Sequence, residues 1–193
     1  MSHRIVLATL NARYIHASLG LRYLLANMQR HGGQAVADCA VLREFTIQTP
    51  PAEIAAALIS DCGPAESGDV HVIGLGIYIW NVNQSLAVVQ ALRALRPDIR
   101  IVLGGPEVSH ELDTQPIAAL ADHVITGWGD VSFPKLCSAL LFGPRPLMKS
   151  LPASSHRWTP LPCHTRTTAP PTWRSGFCTW KHRAAAPLNA RSA

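Results

Sequence analysis

The sequence lacks the features that mark membrane and disulfide-stabilised proteins. No apolar run approaches the length of a membrane span, and a strand pattern begins at Arg4 where a signal peptide would have its apolar core. The five cysteines are an odd, scattered set without a C-x2-C pair, and the nine histidines lack the spacing of a zinc site. We therefore expect a cytoplasmic protein with reduced thiols, no membrane partner and no protein-bound metal.

Acidic residues are missing from the C-terminal part of the chain. All twelve Asp and Glu precede Gly143, together with nine Lys and Arg, so this part has a net charge of −3. From Pro144 onward eight Lys and Arg occur without any acid, a net charge of +8. The basic character belongs to the tail, so it is no evidence for a nucleic-acid partner of the folded part, and we predict none. The oligomeric state stays open.

A strand–helix–strand pattern occupies the middle of the sequence. Residues 70–79 form a nearly continuous apolar run rich in β-branched residues, typical of a strand buried on both faces. Asn81 then stands at the position of a helix N-cap, and leucines at helical spacing follow as far as Pro97. A second buried run, 99–103, ends in Gly104-Gly105-Pro106. This pattern predicts a βαβ unit of a parallel sheet with a double glycine at a strand's carboxyl end.

The flanking segments repeat this alternation. Strands are predicted at 4–10, 34–42 and 122–125. Helices are predicted after an N-cap at Ser18 as far as Gly33, and at 52–60, 116–120 and 131–142. Five strands between helices predict an α/β fold with a doubly wound, flavodoxin-like parallel sheet in the order 2-1-3-4-5. We place this domain at residues 1–147 and expect residues 148–193, rich in Pro, Thr, Arg and Ala, to be disordered.

In that topology the loops after strands one, three, four and five open at one edge of the sheet. They carry many glycines and large flat side chains but few charges, which suits a large planar ligand. The alternative, that these glycines are only turn residues, stays open because fold does not imply function. The candidate site residues are Asn11, Tyr14, His16, Gly76, Tyr78, Trp80, Asn81, Gly104, Gly105, Pro106, Gly127 and Gly129.

Five segments in order resemble the N-terminal cobalamin-binding domain of cobalamin-dependent radical S-adenosylmethionine proteins. They are N-A-R-Y-I-H-A-S-L-G-L-R-Y-L-L, E-F-T-I-Q-T-P, I-G-L-G-I-Y-I-W-N, V-L-G-G-P-E-V-S and D-H-V-I-T-G-W-G-D. The resemblance implies cobalamin as cofactor, with its corrin over the strand-end loops and its nucleotide tail within the domain.

The resemblance also implies roles for individual residues. Gly104 and Gly105 correspond to a double glycine that lets the tail pass, and Gly76 stands where such domains often place a serine. The segment from Tyr78 to Asn81 would line the corrin edge, with Gly127 and Gly129 at the far rim. His16 lacks the D-x-H-x-x-G context of cobalt-ligating histidines, so we interpret it as a loop histidine near the corrin rather than a cobalt ligand.

The tail departs from that family. An intact relative would continue to a C-x3-C-x2-C motif that holds a [4Fe-4S] cluster and works with S-adenosylmethionine, and this chain has no such motif. If the third base of each codon is read with the first two of the next, residues 181–193 permit A-S-R-G-C-P-F-K-C, a small residue, then F-C. We hypothesise a frameshift between about Met148 and Trp158, which would leave the chain truncated before its radical domain.

We thus expect cobalamin binding without catalysis by this chain alone, while the intact relative would be a methyltransferase or similar radical enzyme. One alternative is a flavodoxin-like module that binds a flavin or a nucleotide. The first loop, 11–16, contains no glycine to hold a phosphate, which counts against it. The other alternative is a non-enzymatic remnant domain with an empty pocket.

Overall fold

The computed structural model describes residues 2–12, 17–64, 66–110, 112–144 and 146–153. The predicted disorder of residues 154–193 lies outside this range. The strands are β1 (Arg4–Asn11), β2 (Ala40–Thr46), β3 (His71–Gly76), β4 (Arg100–Gly104), β5 (His123–Thr126) and β6 (Ser150–Pro152). The helices are α1 (Leu19–Gly32), α2 (Gln34–Asp38), α3 (Pro51–Cys62), α4 (Val82–Leu95), α5 (Pro116–Leu120) and α6 (Gly129–Phe142), with a 3₁₀ turn at Leu112–Thr114.

The six strands form one parallel sheet in the order β2-β1-β3-β4-β5-β6. The predicted α/β class and the order 2-1-3-4-5 are confirmed, but the prediction of five strands was wrong by one. Strand β6 lies inside the segment predicted to be disordered. The amide of Val124 donates to the carbonyl of Lys149 at 2.7 Å and that of Ala153 to Thr126 at 2.8 Å. A three-residue strand shows no periodicity in sequence, so only this backbone pairing reveals it.

The second strand also lies later than predicted. Residues 34–42 contain helix α2 followed by the start of β2, which pairs with β1 from Ala40 to Thr46. Val36 is fully buried and packs against the end of α1, where a Cβ on Gly32 would lie 2.9 Å from it. A short apolar run fits either a helix or a strand, and here packing on α1 decides in favour of the helix.

The start of α1 is fixed from two sides. The Ser18 hydroxyl accepts a hydrogen bond from the Leu21 amide at 3.4 Å, which confirms the predicted cap. Glu44 of β2 accepts from the Ser18 amide and forms an ion pair with Arg22 of α1 at 2.8 Å. The helix therefore begins at a set distance from the carboxyl end of the sheet.

Alternate residues of the strands pack on opposite faces of the sheet. Helices α3, α4 and α5 cover one face, where the core includes Val6, Ala8, Leu10, Ile73, Leu75, Ile77, Ile101 and Leu103. Helices α1, α2 and α6 cover the other, where the core includes Ile5, Leu7, Val72, Val102, Ile125, Phe133 and Leu140. No helix in the described ranges is long and apolar enough to cross a membrane.

Ion pairs gather at the amino edge of the sheet, where the strands begin. Asp122, just before β5, accepts hydrogen bonds from Arg93 at 2.6 Å, from Arg100 at 3.1 Å and from the Ile101 amide at 2.8 Å. Burial alone would raise the pKa of Asp122, but these bonds outweigh it and hold the pKa below its usual value. Asp98, before β4, is bound by Arg96, which lowers its pKa as well.

Candidate functional site

A cavity of about 250 Å³ lies between the sheet and helices α1 and α6, near the carboxyl ends of the strands. Its walls are mostly apolar side chains and glycines. The main lining residues are Leu7, Gly20, Leu21, Tyr23, Leu24, Gly74, Gly76, Tyr78, Val102, Gly104, Gly105, Ile125, Gly127, Trp128, Gly129, Asp130 and Phe133.

The cavity exists because two neighbouring strands lack side chains on one face only. Gly74 and Gly76 lie on the same face of β3 as Val72, and Gly104 lies on the same face of β4 as Val102, so all three glycines face α1 and α6. The Phe133 ring fills the space over Gly74, where an added Cβ would lie 2.7 Å from it. A Cβ on Gly76 would meet only ordinary contacts of 3.5 Å or more, and one on Gly104 nothing closer than 3.9 Å. Packing therefore does not require glycine at 76 or 104, and a side chain there would enter the cavity.

Gly105 is glycine for a different reason. Its φ is 111°, and a Cβ there would lie 2.3 Å from the carbonyl oxygen of Ile77. The amide of Ile77 in turn donates to the carbonyl of Gly104 at 2.7 Å. The segments that follow β3 and β4 thus approach with no room for a side chain between them, and only glycine permits this approach.

Asn81 fixes the loop that follows β3. Its side-chain oxygen accepts from the Tyr78 amide at 2.8 Å, and its side-chain nitrogen donates to the carbonyls of Leu10 at 3.0 Å and Gly76 at 3.1 Å. The predicted position at the N-cap of α4 is confirmed, but the side chain makes no capping hydrogen bond to that helix. Buried and fully bonded, it joins the ends of β1 and β3 instead.

Two hydroxyls at this edge were not predicted from the sequence. The buried Thr9 hydroxyl donates to the Gly76 carbonyl at 3.1 Å. The Ser109 hydroxyl donates to the Gly105 carbonyl at 2.7 Å and accepts from the Gly127 amide at 2.9 Å, so it ties the loops after β4 and β5 together. A Thr at the end of a strand was the available signal for the first, whereas nothing local to Ser109 indicates its distant partners.

Exposed apolar side chains surround the cavity mouth. Tyr78 and Trp80 stack face to face, with ring centroids 4.5 Å apart and planes within 9°. Leu19, Ile79, Trp80 and Trp128 expose 80%, 76%, 51% and 65% of their surface. Because these residues occupy the start of α1 and the loops after β3 and β5, the rim is a broad apolar surface around a deeper slot.

Charge at the site is sparse. Asp130, in the first turn of α6, is the acidic residue among the described lining, and Tyr23 of α1 lies within its electrostatic influence. Burial raises the pKa of Tyr23, and the negative charge of Asp130 raises it further. The phenol therefore stays protonated and can donate a hydrogen bond at neutral pH.

The structure brings together half of the predicted site residues in the cavity wall. Gly76, Tyr78, Gly104, Gly105, Gly127 and Gly129 line it, while Asn11, Trp80, Asn81 and Pro106 are outside the lining at the same sheet edge. Tyr14 and His16 lie outside the described residues. In the part of the chain that is described, no three His, Cys, Asp or Glu side chains are grouped as metal ligands would be.

The family assignment agrees with this geometry. The family model of the B12 binding domain matches residues 5–137, which span β1 to most of α6 and include every strand around the cavity. No curated protein matches the sequence. The match covers well over half of the chain, and the chain belongs to the B12-binding domain family.

Proposed function

We propose that this domain holds cobalamin with its corrin ring over the strand-end loops and its nucleotide tail in the cavity between α1 and α6. The observation that carries the proposal is the space above Gly76 and Gly104. Both positions accept a Cβ without a clash, yet both leave the sheet bare at the cavity floor. A slot that packing does not require fits a ligand that needs it.

The residues divide the binding between ring and tail. Tyr78, Trp80 and Trp128 supply flat apolar surface for the corrin, and Gly127 and Gly129 leave its far rim open. Gly76, Gly104 and Gly105 form the floor over which the tail passes. Asn81 and Ser109 hold the loops, so that the surface is formed before the ligand arrives. When bound, the cobalt supplies the metal–carbon chemistry, and this chain's residues position it and exclude water.

The test is a titration of the full-length chain with cobalamin, followed by visible spectroscopy. A tail held in the cavity cannot coordinate the cobalt of the same molecule, so we expect saturable binding with a shift to the base-off spectrum. Binding without that shift would contradict the placement of the tail. A folded protein that shows no spectral change, or that carries flavin absorbance when purified, would contradict cobalamin binding itself.

We propose further that the domain derives from a cobalamin-dependent radical S-adenosylmethionine enzyme. The support is the order of the five matching segments and the shifted reading frame. In that frame Trp180-Lys181 must encode Glu, and the codons of residues 181–193 permit the C-x3-C-x2-C motif after it. Such an enzyme would bind a [4Fe-4S] cluster through these three thiolates and use S-adenosylmethionine with cobalamin.

Strand β6 narrows the proposed position of the frameshift. Residues 150–152 pair in register with β5, and the Ala153 amide continues the ladder by donating to Thr126. Pairing of these residues with the sheet supports the original frame as far as Ala153, so we place the break after Ala153 and before about Trp158. Sequencing the gene tests this directly. Codons that cannot spell three cysteines at this spacing in the shifted frame would refute the hypothesis and leave the cobalamin proposal intact.

A further inference from the structure

We infer that the cavity between α1 and α6 selects corrinoids by the chemistry of their lower base. It would accept an apolar bicyclic base, such as the 5,6-dimethylbenzimidazole of cobalamin, and discriminate against a purine such as adenine. The inference rests on the proposed function, because it assumes that the nucleotide tail enters this cavity.

The buried part of the lining offers no polar side-chain atom. Leu7, Leu21, Val102, Ile125 and Phe133 are each at most 4% exposed, and they enclose the slot from the sheet and from both helices. The polar side chains among the described lining residues are Tyr23, Tyr78, Trp128 and Asp130, and each is half-buried or exposed. Hydrogen-bonding side chains are therefore concentrated where solvent reaches the cavity.

The strand backbone that forms the floor of the slot is already occupied. The Gly76 carbonyl accepts from both Thr9 and Asn81, and the Gly104 carbonyl accepts from the Ile77 amide. The remaining backbone groups of β1, β3 and β4 pair with neighbouring strands on both sides. A base that rests on this floor thus finds apolar contacts but few hydrogen-bond partners in the strands beneath it.

Adenine and dimethylbenzimidazole differ in what they need from such a slot. Adenine carries an exocyclic amine and three ring nitrogens besides the one bonded to the ribose, whereas dimethylbenzimidazole carries one further nitrogen and two methyl groups. Burying polar atoms without partners is unfavourable, and burying methyl groups is favourable. An apolar cavity of roughly 150 Å³ holds benzene, so the volume of about 250 Å³ here has room for a bicyclic ring.

The experiment compares three corrinoids on the full-length chain: cobalamin, its analogue with adenine as lower base, and cobinamide, which lacks the nucleotide. Each dissociation constant is measured by equilibrium dialysis, because cobinamide has no lower base whose displacement would change the visible spectrum. We expect cobalamin to bind at least about tenfold more tightly than the adenine analogue, the effect of one or two unsatisfied polar groups. Equal affinities for the two would overturn base selection and leave cobalamin binding established. No binding of any corrinoid would overturn the proposed function and this inference with it.

A matched pair of variants tests whether the lining is the cause. Leu24 of α1 lies beside Gly129, whose added Cβ would be 3.4 Å from it, and it is part of the cavity wall. Leu24→Gln places an amide in the slot, whereas Leu24→Met keeps a similar volume without one. We expect Leu24→Gln to reduce the preference for cobalamin by about threefold or more and Leu24→Met to leave it unchanged. An identical preference in both variants would overturn the role of the lining. If Leu24→Gln proves unfolded by circular dichroism, the wild-type comparison alone decides.

Discussion

The amino edge of the sheet, where the strands begin, and the carboxyl edge, where they end, are built from different kinds of residue. At the amino edge, Arg93 and Arg100 hold Asp122, and Arg96 holds Asp98, so charge closes the gaps between strand starts. At the carboxyl edge glycines and exposed aromatic side chains surround a cavity, the uncharged Asn81 and Ser109 join the loops, and the one ion pair described there, Arg22–Glu44, lies at the start of α1. Ion pairs hold the amino edge together, whereas the carboxyl edge has exposed apolar side chains and a cavity. Stability and binding are thus separated along the strands, and substitutions at each edge should affect them differently.

Gly105→Ala is expected to have the largest effect. Because Gly105 lies at the carboxyl edge, this loss of stability limits the separation of stability from binding along the strands. The positive φ and the 2.3 Å approach of an added Cβ to Ile77 should lower the free energy of unfolding by about 2–4 kcal/mol. Urea denaturation measures it. Gly63→Ala is the control, because Gly63 also has a positive φ but its Cβ would touch nothing within 4 Å. An equal loss of stability in both variants would show that the close approach of the two loops is unimportant.

Asp122→Asn comes next and tests the amino edge. It leaves Arg93 and Arg100 without their carboxylate and should destabilise the fold by about 2 kcal/mol, because the site is partly exposed. Cobalamin affinity should not change in protein that remains folded. A marked loss of affinity at full folding would contradict the division between the edges.

The same variant has a predicted pH signature. The folded-state pKa of Asp122 is below its ordinary value, so its contribution to stability is present above about pH 4 and is lost as the pH falls through the folded pKa. The wild-type protein should therefore lose stability more steeply below pH 4 than Asp122→Asn does. Asp98 behaves in the same way in both proteins, so their difference isolates Asp122. Parallel pH profiles would show that Asp122 is not bound as described.

Gly104→Val tests the carboxyl edge. The nearest atom to an added Cβ is 3.9 Å away, so the folded chain should tolerate valine in this strand with little change in melting temperature. The side chain would occupy the cavity floor and should weaken cobalamin binding about tenfold or more, which corresponds to 1.4 kcal/mol. Spectroscopic titration and thermal melting measure both effects. Unchanged affinity would mean that the tail does not pass over Gly104.

Gly76→Ser should have the smallest effect and the opposite sign. A serine Cβ fits there at ordinary contact distances, and its hydroxyl would reach into the cavity near Thr9. One added hydrogen bond to the tail should tighten binding by about two- to tenfold without changing stability. Gly76→Ala, which fills similar space without the hydroxyl, is the control. Equal changes in both variants would assign the effect to volume.

The sequence was sufficient to predict the parts of the fold that depend on long apolar patterns. The runs behind β1, β3, β4 and β5 are buried on both faces, and this composition places them in a parallel sheet whose loops share one edge. The prediction misplaced β2 and missed β6 because they are the two outermost strands of the sheet. There β2 is only half-buried and β6 has three residues, so backbone pairing rather than apolar pattern defines them.

The location of the candidate site was predictable from the sequence, but the contacts that hold its loops together were not. The glycines at 76 and 104 are visible in the sequence, yet only the three-dimensional structure shows that packing does not require them whereas it does require Gly105. Asn81 was assigned to the helix that follows it, and its actual partners include Leu10, far away in the sequence. Ser109 was not predicted at all, because its role depends on two loops meeting.

The glycines at positions 76 and 104, which packing does not require, should also reflect the evolutionary history of the domain. A relative that keeps the fold but no longer needs its ligand can accept alanine there without a clash at the Cβ, so drift would reach these two positions early. Gly105 would persist in the same relative, since replacing it disrupts the close approach of the loops after β3 and β4. The ratio of change at positions 76 and 104 to change at position 105 thus distinguishes lineages under selection for the ligand from lineages selected only to fold.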